Sequence, residues 1–391
     1  MSVNVMTAPR ATAPARPQAK ARSGLLTGAL IGLFGLALPV MRYVEFGGGK
    51  VNACAADALL LPVLLLSGRR WLRSGALGSW IFALWMVNVI AWNLSLSVLT
   101  FDVFLRECMK VAICYLYALA GFGLGSDRSS EQSLTQGLVW SALPMAAVGI
   151  FAFFVRQPSF FIVESRVAGT LGDANAFGIY LGMMLPLVGS LNLAWLLIPL
   201  LIAAGVVTFS RTGMIAIGAS LLLSGLHLKF RRYLLVMVAC LFVVVSVWGV
   251  ASNTRVGKRI ANYHGSLEER QSLWSRAAGV AVRHPVFGIG KGNWEAVSRS
   301  HTLPHNTFLS VMTDGGVIGF TVFMIPLAMW LWRGMKRPSC RRWAIAVFVG
   351  LVGGMAVSLD NFRPFWLVVG LLVAGLTATE REDARERVRW Q

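Results

Sequence analysis

The stretch of sequence best suited to chemistry is TLPHNTFLSVMTDGGVIGF, residues 302–320. His305 stands at the start of this apolar run, and an imidazole that titrates near neutral pH can accept a proton from a hydroxyl group. At about 100° per residue, a helix that includes His305 brings Gly316 and Gly319 to the same face and Asp314 to the opposite face. We therefore expect a base above a strip of small residues, against which a lipid chain or another helix lies. Plain helix packing with an incidental histidine is the alternative.

Two arginines in apolar surroundings are candidates for binding an anion. Arg211, in the segment FSRTG, is the only charged residue in two consecutive apolar segments, and its guanidinium either faces a phosphate or lies at the membrane interface. Arg270 lies at the centre of the apolar face of the amphipathic stretch 266–283. That position predicts either an anionic ligand or a structural salt bridge to Asp360 or Asp173.

The segment GIGKGNW, residues 288–294, resembles a phosphate-binding loop, but no predicted strand precedes it and no helix with a ribose-binding acid follows it. We interpret it as a tight turn that returns a loop to the membrane. The sequence shows no histidine–carboxylate cluster with metal-ligand spacing and no nucleotide-binding motif. We therefore expect chemistry without ATP, without a cofactor and without a metal.

Most of the chain consists of segments that are long and apolar enough to cross a bilayer. Hydrophobic residues make up 56% of the 391 residues, charged residues only 14%, and the mean hydropathy is +0.65, whereas soluble domains carry about 25% charged residues. The fold class is therefore an all-α, polytopic integral membrane protein with one membrane domain over residues 25–379. We predict about twelve spans, at 25–41, 53–68, 77–100, 108–125, 134–155, 174–190, 193–209, 213–228, 233–251, 305–332, 343–358 and 363–379.

The distribution of lysine and arginine predicts the orientation of these spans. Both termini and the short basic turns fall on one side, which the positive-inside rule assigns to the cytoplasm. We expect a disordered cytoplasmic N-terminus over residues 1–24 and a cytoplasmic tail over residues 380–391. Residues 252–304 then form one long periplasmic loop that is partly helical and basic, which calls for an anionic partner or for lipid headgroups. The net charge of +19 is read as a topology signal, so nucleic acid is not an expected partner.

Four segments, in this order, resemble those of bacterial O-antigen ligases: SRVAGTLGDANAFGIYL, FSRTGMIA, RQSLWSRAAGVAVRHPVFGIGKGNW and HNTFLSVMTDGGVIG. The last one fits the family pattern of histidine, then Asn, Ser or Gln, then nine residues, glycine, two residues and glycine. Ala174 departs from the family, which often has proline before the asparagine. The landmarks run over residues 165–319, and the predicted spans extend the resemblance to the O-antigen ligase and polymerase superfamily over most of the chain.

This resemblance implies a GT-C-type glycosyltransferase of the bacterial inner membrane, inverting and metal-independent, with its active site facing the periplasm. Its donor would be a glycan on undecaprenyl diphosphate, and its acceptor lipid A–core or a growing glycan. The catalytic residue would be His305. The donor diphosphate would be bound by Arg211, Arg270 and Arg166. Supporting residues would be Asn306, Asp360, Gly316 and Gly319.

Two other functions remain open at this point. The fit of the histidine–glycine pattern favours ligation to lipid A–core in lipopolysaccharide biosynthesis, but a polymerase that extends the O-antigen or an exopolysaccharide would use the same donor and the same arginines. A transporter of a lipid-linked sugar belongs to a different class and predicts charges deep within several spans. Apart from Asp314, the charged residues singled out as candidates lie near the periplasmic ends of the predicted spans and not deep within them.

Overall fold

The computed structural model describes residues 18–46, 49–94, 101–155, 157, 162–163, 166–188, 194–225, 263–300 and 302–389. Over this part of the chain the fold is almost entirely α-helical, as the apolar runs predict. In chain order the helices are α1 (Gln18–Ala37), α2 (Asp57–Leu66), α3 (Ala76–Leu94), α4 (Phe101–Gly125), α5 (Arg128–Val155), α6 (Ala174–Val188), α7 (Ala194–Val207), α8 (Arg211–Gly225), α9 (Tyr263–Arg283), α10 (Trp294–Ser298), α11 (Thr307–Lys336), α12 (Arg341–Gly354) and α13 (Arg363–Arg389).

Short hairpins and 3-10 turns connect some of these helices. The first hairpin joins α1 to α2 and pairs β1 (Met41–Phe46) with β2 (Gly49–Cys54) in an antiparallel arrangement. The second pairs β3 (Ile162–Val163) with β4 (Arg166–Val167) before α6. The 3-10 turns cover Gly68–Arg73, Gly169–Leu171 and Leu359–Asn361. The purely helical prediction did not include these hairpins. β3 and β4 have two residues each, too few for an alternating pattern, and β1 and β2 lie mostly in the connection between two predicted spans.

Most of the helices overlap predicted apolar spans. Each predicted span overlaps one helix except 233–251, which lies outside the described residues, and α9 and α10 lie in the predicted loop 252–304. By length and composition, α3, α5, α11 and residues Val103–Gly125 of α4 are apolar and long enough to cross a membrane, while α1, α2, α6 and α7 contain shorter apolar segments. The chain is therefore a membrane protein with several candidate membrane-spanning helices.

Glycines allow the central helices to pack with their backbones in contact. α13 packs along α4, where a Cβ atom on Gly370 would come within 2.0 Å of the carbonyl oxygen of Ala118. α6 packs on α8 where Gly178 meets Gly213, and a Cβ atom on Gly178 would lie 2.7 Å from the Cα of Gly213. Small residues of this kind drive helix association in a membrane, where burial of apolar side chains provides little driving force.

α11 is broken within its length, and a loop from outside the helix fills the break. Gly316 has φ 62° and ψ −162°, which interrupts the helical hydrogen bonding. Two amides of the inserted loop, residues 285–290, donate to the carbonyls of Thr313 and Asp314 at 2.8 and 2.9 Å, and the amide of Val317 donates to a loop carbonyl at 2.7 Å. The inserted loop therefore satisfies backbone groups that lose their partners at the break.

Two glycines make room for the inserted loop. A Cβ atom on Gly316 would lie 2.3 Å from the carbonyl oxygen of Val286, and a Cβ atom on Gly288 would lie 2.4 Å from that of Thr313. Both glycines have positive φ, 62° and 68°, a conformation that costs other residues about 1–2 kcal/mol. The glycines of the DGG and GIG segments thus serve one contact, between the loop and the broken helix.

A buried ion pair ties the start of α13 to the start of α2. The side chain of Arg363 is 1% exposed and donates to both carboxylate oxygens of Asp57, at 2.8 and 2.9 Å. Tyr117, on α4, donates to the same carboxylate at 2.9 Å, and Arg363 also donates to the side-chain oxygen of Asn361 at 3.1 Å. Because Asn361 belongs to the 3-10 turn between α12 and α13, this network fixes the position of that turn.

Candidate active site

His305 lies directly before α11, in a loop that two tryptophans hold in place. The indole nitrogen of Trp274, on α9, donates to the carbonyl of Pro304 at 2.9 Å, and that of Trp294, on α10, donates to the carbonyl of Thr302 at 2.8 Å. His305 has φ 48°, in the left-handed region. A residue other than glycine stays in that region only where the surrounding contacts hold it there.

Asn306 ends this loop and begins the helix. Its side-chain oxygen accepts hydrogen bonds from the amides of Phe308 and Leu309, at 3.0 and 3.1 Å, and so caps α11. The asparagine of the histidine–asparagine pair therefore has a clear structural role, which is to start the helix immediately after the candidate base.

The predicted placement of His305 above the glycine strip is wrong. His305 precedes the helix, and Gly316 breaks it, so neither shares a regular helical face with Gly319. Gly316 receives the inserted loop, whereas a Cβ atom on Gly319 would lie 3.2 Å from Val87 of α3, so Gly319 allows close packing between helices. The predicted position of Asp314 on the face away from His305 is also wrong, because both residues line one cavity.

The surroundings of His305 favour the neutral imidazole. Desolvation lowers the pKa of His305 below its usual value of 6.5, and the positive charge of Arg270 lowers it further. Asp173 and Glu269 act in the opposite direction without cancelling these effects. The side chain nevertheless remains accessible to solvent. A neutral and accessible imidazole is suited to accept a proton at pH 7.

His305 lines a cavity of about 400 Å³ with charged side chains in its wall, which we call the His305 cavity. This volume is within the range of about 300–1,000 Å³ that small-molecule sites occupy. The cavity lies among α4, the residues before α6, the segment around α10, the start of α11 and the 3-10 turn before α13. Its charged lining residues are Arg106, Glu107, Lys110, Asp173, Lys291, Glu295, Asp314 and Asp360.

Lys291 places a buried positive charge in the wall of the His305 cavity. It follows the inserted loop, is 8% exposed, and forms salt bridges with Asp360 and, at 3.8 Å, with Asp314. Burial opposes the charged form, but the two carboxylates more than offset it and raise the pKa of Lys291. In the same way, burial opposes ionisation of Asp360, but the charge of Lys291 prevails and lowers the pKa of Asp360. Lys291 and Asp360 are therefore both charged at pH 7.

The sequence alone does not indicate the role of Lys291, because GIGKGNW has the pattern of a turn and no local spacing gives a partner for Asp314. The available signal was a lysine in an otherwise uncharged loop, together with aspartates inside or beside apolar spans, where an ionised group requires a partner. The pairing itself joins Lys291 to Asp360, 69 positions away, so local spacing does not reveal it.

Backbone contacts hold the turn that carries Asp360. The thiol of Cys114, on α4, donates to the carbonyl of Asp360 at 3.2 Å. The hydroxyl of Thr307, the first residue of α11, donates to the carbonyl of Val357 at 2.8 Å and accepts from the amide of Leu359 at 2.9 Å. The turn with the candidate carboxylate is thus bonded directly to the helix that begins next to the candidate base.

A second charged group lines the His305 cavity from α4. Glu107 forms a salt bridge with Lys110 at 2.6 Å and another with Arg106 at 3.7 Å. None of these three residues stands out in the sequence as a candidate site residue. Among the described residues, no three or more His, Cys, Asp or Glu side chains are grouped so that they could hold a metal ion.

Arg166 and Arg211 lie around the turn between α7 and α8, and neither lines the His305 cavity. Arg166 donates through Nε to the carbonyl of Thr208 and through Nη2 to Oδ1 of Asn175, both at 3.1 Å. The hydroxyl of Ser210 donates to the same oxygen of Asn175 at 2.8 Å. Arg211 follows directly and is exposed at the first position of α8. Arg166 is thus part of a network that orients the turn carrying Arg211.

Arg270 is half-buried on α9, close enough to His305 to lower its pKa. The salt bridges to Asp360 or Asp173 that formed the structural alternative are absent. Asp360 pairs with Lys291, and Asp173 caps α6 by accepting from two backbone amides at 2.7 and 2.8 Å. Within the described part of the chain, the guanidinium of Arg270 has no carboxylate partner, which leaves it able to bind an anion.

The described helices form an apolar bundle with several candidate membrane-spanning helices and a cavity lined by charged residues beside His305. Residues 195–324 match the family described as O-antigen ligase. This segment, about a third of the chain, is similar to the O-antigen ligase domain family, whose members transfer glycans, as ligases or polymerases, from lipid-linked substrates.

The family match confirms the resemblance drawn from the motifs. The matched segment contains Arg211, Arg270, Lys291 and His305. Arg166 and Asp360 lie outside it. No curated protein matches the chain.

Proposed function

We propose that this protein is an inverting glycosyltransferase that ligates O-antigen to lipid A–core, with undecaprenyl diphosphate as the carrier of the donor glycan. The observation that carries the proposal is the position of His305, which has a lowered pKa and opens onto the His305 cavity near Arg270. The match of residues 195–324 to the O-antigen ligase family supports the class of reaction.

In the proposed reaction, a ring nitrogen of His305 accepts the proton of the acceptor hydroxyl. The hydroxyl oxygen then forms a bond to the anomeric carbon of the donor, and the bond from that carbon to the diphosphate oxygen breaks. Undecaprenyl diphosphate leaves with the electron pair of the broken bond. Attack on the face opposite the leaving group inverts the configuration at the anomeric carbon. The proton held by His305 passes to solvent before the next turnover.

Negative charge grows on the diphosphate as its bond to the sugar breaks, and we assign its stabilisation to Arg270 and Arg211. A guanidinium can form two parallel hydrogen bonds to a phosphate and can thus replace a metal ion.

For Arg166 we propose a different role from the one the motif suggests. Because its Nε and Nη2 are already bonded to Thr208 and Asn175, it positions the turn of Arg211.

For Asp360 we propose a role in holding the acceptor. Lys291 keeps its carboxylate ionised within the cavity wall, and an ionised carboxylate accepts hydrogen bonds from sugar hydroxyls. Asn306 would support His305 by fixing the start of α11. Gly316 and Gly319 would contribute through the inserted loop and through the packing of α3.

The arrangement in the membrane is part of the same proposal. Twelve spans of GT-C type would lie within a membrane domain at residues 25–379, with both termini, residues 1–24 and 380–391, in the cytoplasm. Residues 252–304 would then form the periplasmic loop, which places His305 at the periplasmic face of the inner membrane. A cysteine introduced at Ser339 should react with a reagent on the cytoplasmic side, and one at Ser298 with a reagent on the periplasmic side. The reverse labelling would overturn this location of the active site.

Deletion of the gene distinguishes ligase from polymerase. Loss of a ligase leaves bare lipid A–core on a lipopolysaccharide gel while polymer on undecaprenyl diphosphate accumulates. Loss of a polymerase instead leaves core capped by a single repeat unit, and this outcome would overturn the assignment as a ligase. The polymerase remains the second candidate, because the family includes both activities.

A further inference from the structure

A second large cavity lies at the end of the helix bundle away from His305. The part of α11 after its break at Gly316 runs over the 20 residues 317–336, which corresponds to about 30 Å at 1.5 Å per residue. Beyond its far end, next to the connection to α12, a cavity of about 870 Å³ lies among α5, α6, α7, α8, α12 and α13. We call it the distal cavity. Its polar lining includes Arg128, Glu131, Ser220, Ser224, Arg341 and Arg342.

Positive charge prevails in the lining of the distal cavity. Three arginines face two glutamates, Glu131 and Glu382. Glu131 is bonded to Arg342 at 2.6 Å and accepts a further hydrogen bond from the indole of Trp343 at 2.9 Å. Within the described ranges, Arg128 and Arg341 have no carboxylate partner. The cavity therefore offers guanidinium groups to an anion.

Several polar atoms of this lining are buried and have no hydrogen-bond partner among the described residues. These atoms are the hydroxyl oxygens of Ser220 and Ser224, one turn apart on α8, and Nε of Arg342. The side chain of Ser220 is fully buried. A buried donor without a partner destabilises a protein. Hydroxyl and guanidinium donors grouped around one cavity indicate a ligand with several acceptor oxygens.

The remaining lining is apolar, and this decides the kind of ligand. Leu185 and Pro186 of α6, Ile198 of α7, Leu221 of α8 and Ile345 of α12 contribute to the same cavity. A phosphate ion would use only the polar part of such a site, whereas a phospholipid has an anionic headgroup and acyl chains to match both parts. We propose that the distal cavity binds the phosphate headgroup of an anionic phospholipid. This inference does not depend on the proposed glycan transfer.

The proposal is tested on the purified full-length protein in a neutral detergent. Dioleoylphosphatidylglycerol, dioleoylphosphatidylcholine or inorganic phosphate is added, and binding is measured by native mass spectrometry and by the rise in melting temperature. We expect the phosphatidylglycerol to bind and to raise the melting temperature more than the phosphatidylcholine does. Equal effects of the two lipids would overturn the proposal, and so would competition by inorganic phosphate at comparable concentrations, which would indicate a site for the free ion.

Substitutions locate the binding. Arg128→Gln should weaken binding of the phosphatidylglycerol about tenfold. The matched control is Arg333→Gln at the same end of the bundle, because Arg333 is exposed, pairs with Glu380 at 3.4 Å and does not line the distal cavity. Equal affinities of the two variants would overturn the site.

Ser220→Ala provides a test that does not rely on charge. Because the hydroxyl of Ser220 has no partner of its own among the described residues, the lipid-free variant should melt at or above the wild-type temperature. The additional rise on adding phosphatidylglycerol should be smaller than in the wild type. A variant that melts lower without lipid and keeps the full rise with lipid would show that the hydroxyl has a different partner, and would overturn the proposal.

Discussion

The two ends of the helix bundle carry charges in two different arrangements. In the His305 cavity the charged side chains are largely paired within the protein, as Lys291 is with Asp360 and Asp314, and Glu107 is with Lys110. In the distal cavity, Arg342 is paired with Glu131, but Arg128 and Arg341 have no carboxylate partner and the hydroxyls of Ser220 and Ser224 have no hydrogen-bond partner among the described residues. The first arrangement fixes its groups before a ligand arrives, whereas the second needs a ligand to complete its hydrogen bonds.

The difference in charge pairing indicates which end of the bundle is suited to catalysis. Dipoles and charges that are already oriented stabilise a transition state without a cost for reorganisation during the reaction. The pairs around Lys291, the bonds from Thr307 to the turn before α13 and the two tryptophans behind His305 all serve to fix positions. The end of the bundle with paired charges is therefore the better candidate for catalysis, and the other end is the better candidate for binding alone.

The largest effect is expected from His305→Ala. Loss of a general base typically reduces the rate by about 10²- to 10⁴-fold, and we expect this loss in kcat while donor binding persists. The matched control is His284→Ala, because His284 is exposed beyond the end of α9 and should leave the rate unchanged. Glycan transfer from undecaprenyl diphosphate would be measured on the purified variants. If His305→Ala abolishes donor binding, the residue is a ligand for the donor and not the base.

Lys291→Met should destabilise the fold as well as stop transfer. It leaves the half-buried carboxylates of Asp360 and Asp314 without their cation. Breaking a fully buried pair costs about 3–5 kcal/mol, and because solvent reaches these carboxylates we expect a smaller loss of stability. Thermal unfolding in detergent measures the loss, with the exposed Lys336 changed to Met as the control. Adding Asp360→Asn to Lys291→Met should restore part of the stability. Unchanged stability in the single variant would mean that the charges are not paired in solution.

Arg270→Lys should reduce transfer about tenfold to a hundredfold. Lysine keeps the charge but loses the fork of parallel donors, and one charge-assisted hydrogen bond contributes roughly 1.5–3 kcal/mol. Part of the loss should appear as weaker binding of undecaprenyl diphosphate. Arg276→Lys, on the exposed face of the same helix, is the matched control and should behave like the wild type. If the two variants have equal activity, Arg270 does not contact the diphosphate.

A smaller effect is expected from pH. Because protonation removes the base, activity should fall on the acid side as His305 becomes charged, and the lowered pKa of His305 places this fall below pH 6.5. Arg270→Gln removes a positive charge that lowers that pKa, so the fall should move to higher pH in the residual activity of the variant. Profiles of rate against pH for wild type and variant provide the measurement. If the activity falls at the same pH in both proteins, the charge of Arg270 does not affect the pKa of His305.

The smallest effect is expected from removing divalent metal ions. If arginines stabilise the leaving diphosphate, transfer by the purified protein should continue in EDTA at an unchanged rate. A rate that drops in EDTA and returns with magnesium or manganese would contradict the arginine mechanism and would indicate that the leaving group is stabilised by a metal.

The helices of this fold are largely predictable from sequence, because apolar runs of membrane length follow directly from the thickness of the bilayer. The candidate base and Arg270 are also visible, one as a histidine at the start of an apolar run and the other as a cation on an apolar helical face. The prediction that His305, Gly316 and Gly319 share one helical face was wrong. A helical wheel assumes one unbroken helix, whereas the cap at Asn306 and the break at Gly316 interrupt it on both sides.

The remaining features depend on contacts between distant parts of the chain. Lys291 pairs with Asp360 across 69 positions, and Arg363 pairs with Asp57 across 306 positions. Neither pair has a local spacing that could predict it. The sequence also does not distinguish a glycine that makes room for a loop from one that allows close helix packing. Gly316 makes room for the inserted loop, and Gly319 allows α3 to pack closely.

The break in α11 has a consequence for how the protein is made. A helix interrupted nine residues after Thr307 would leave carbonyl and amide groups bare in a lipid environment, where each unsatisfied group is costly. The loop at residues 285–290, which supplies their partners, precedes α11 in the chain and has therefore already been synthesised when the helix leaves the ribosome. The loop that supplies the hydrogen-bond partners is therefore synthesised before the broken helix that needs them.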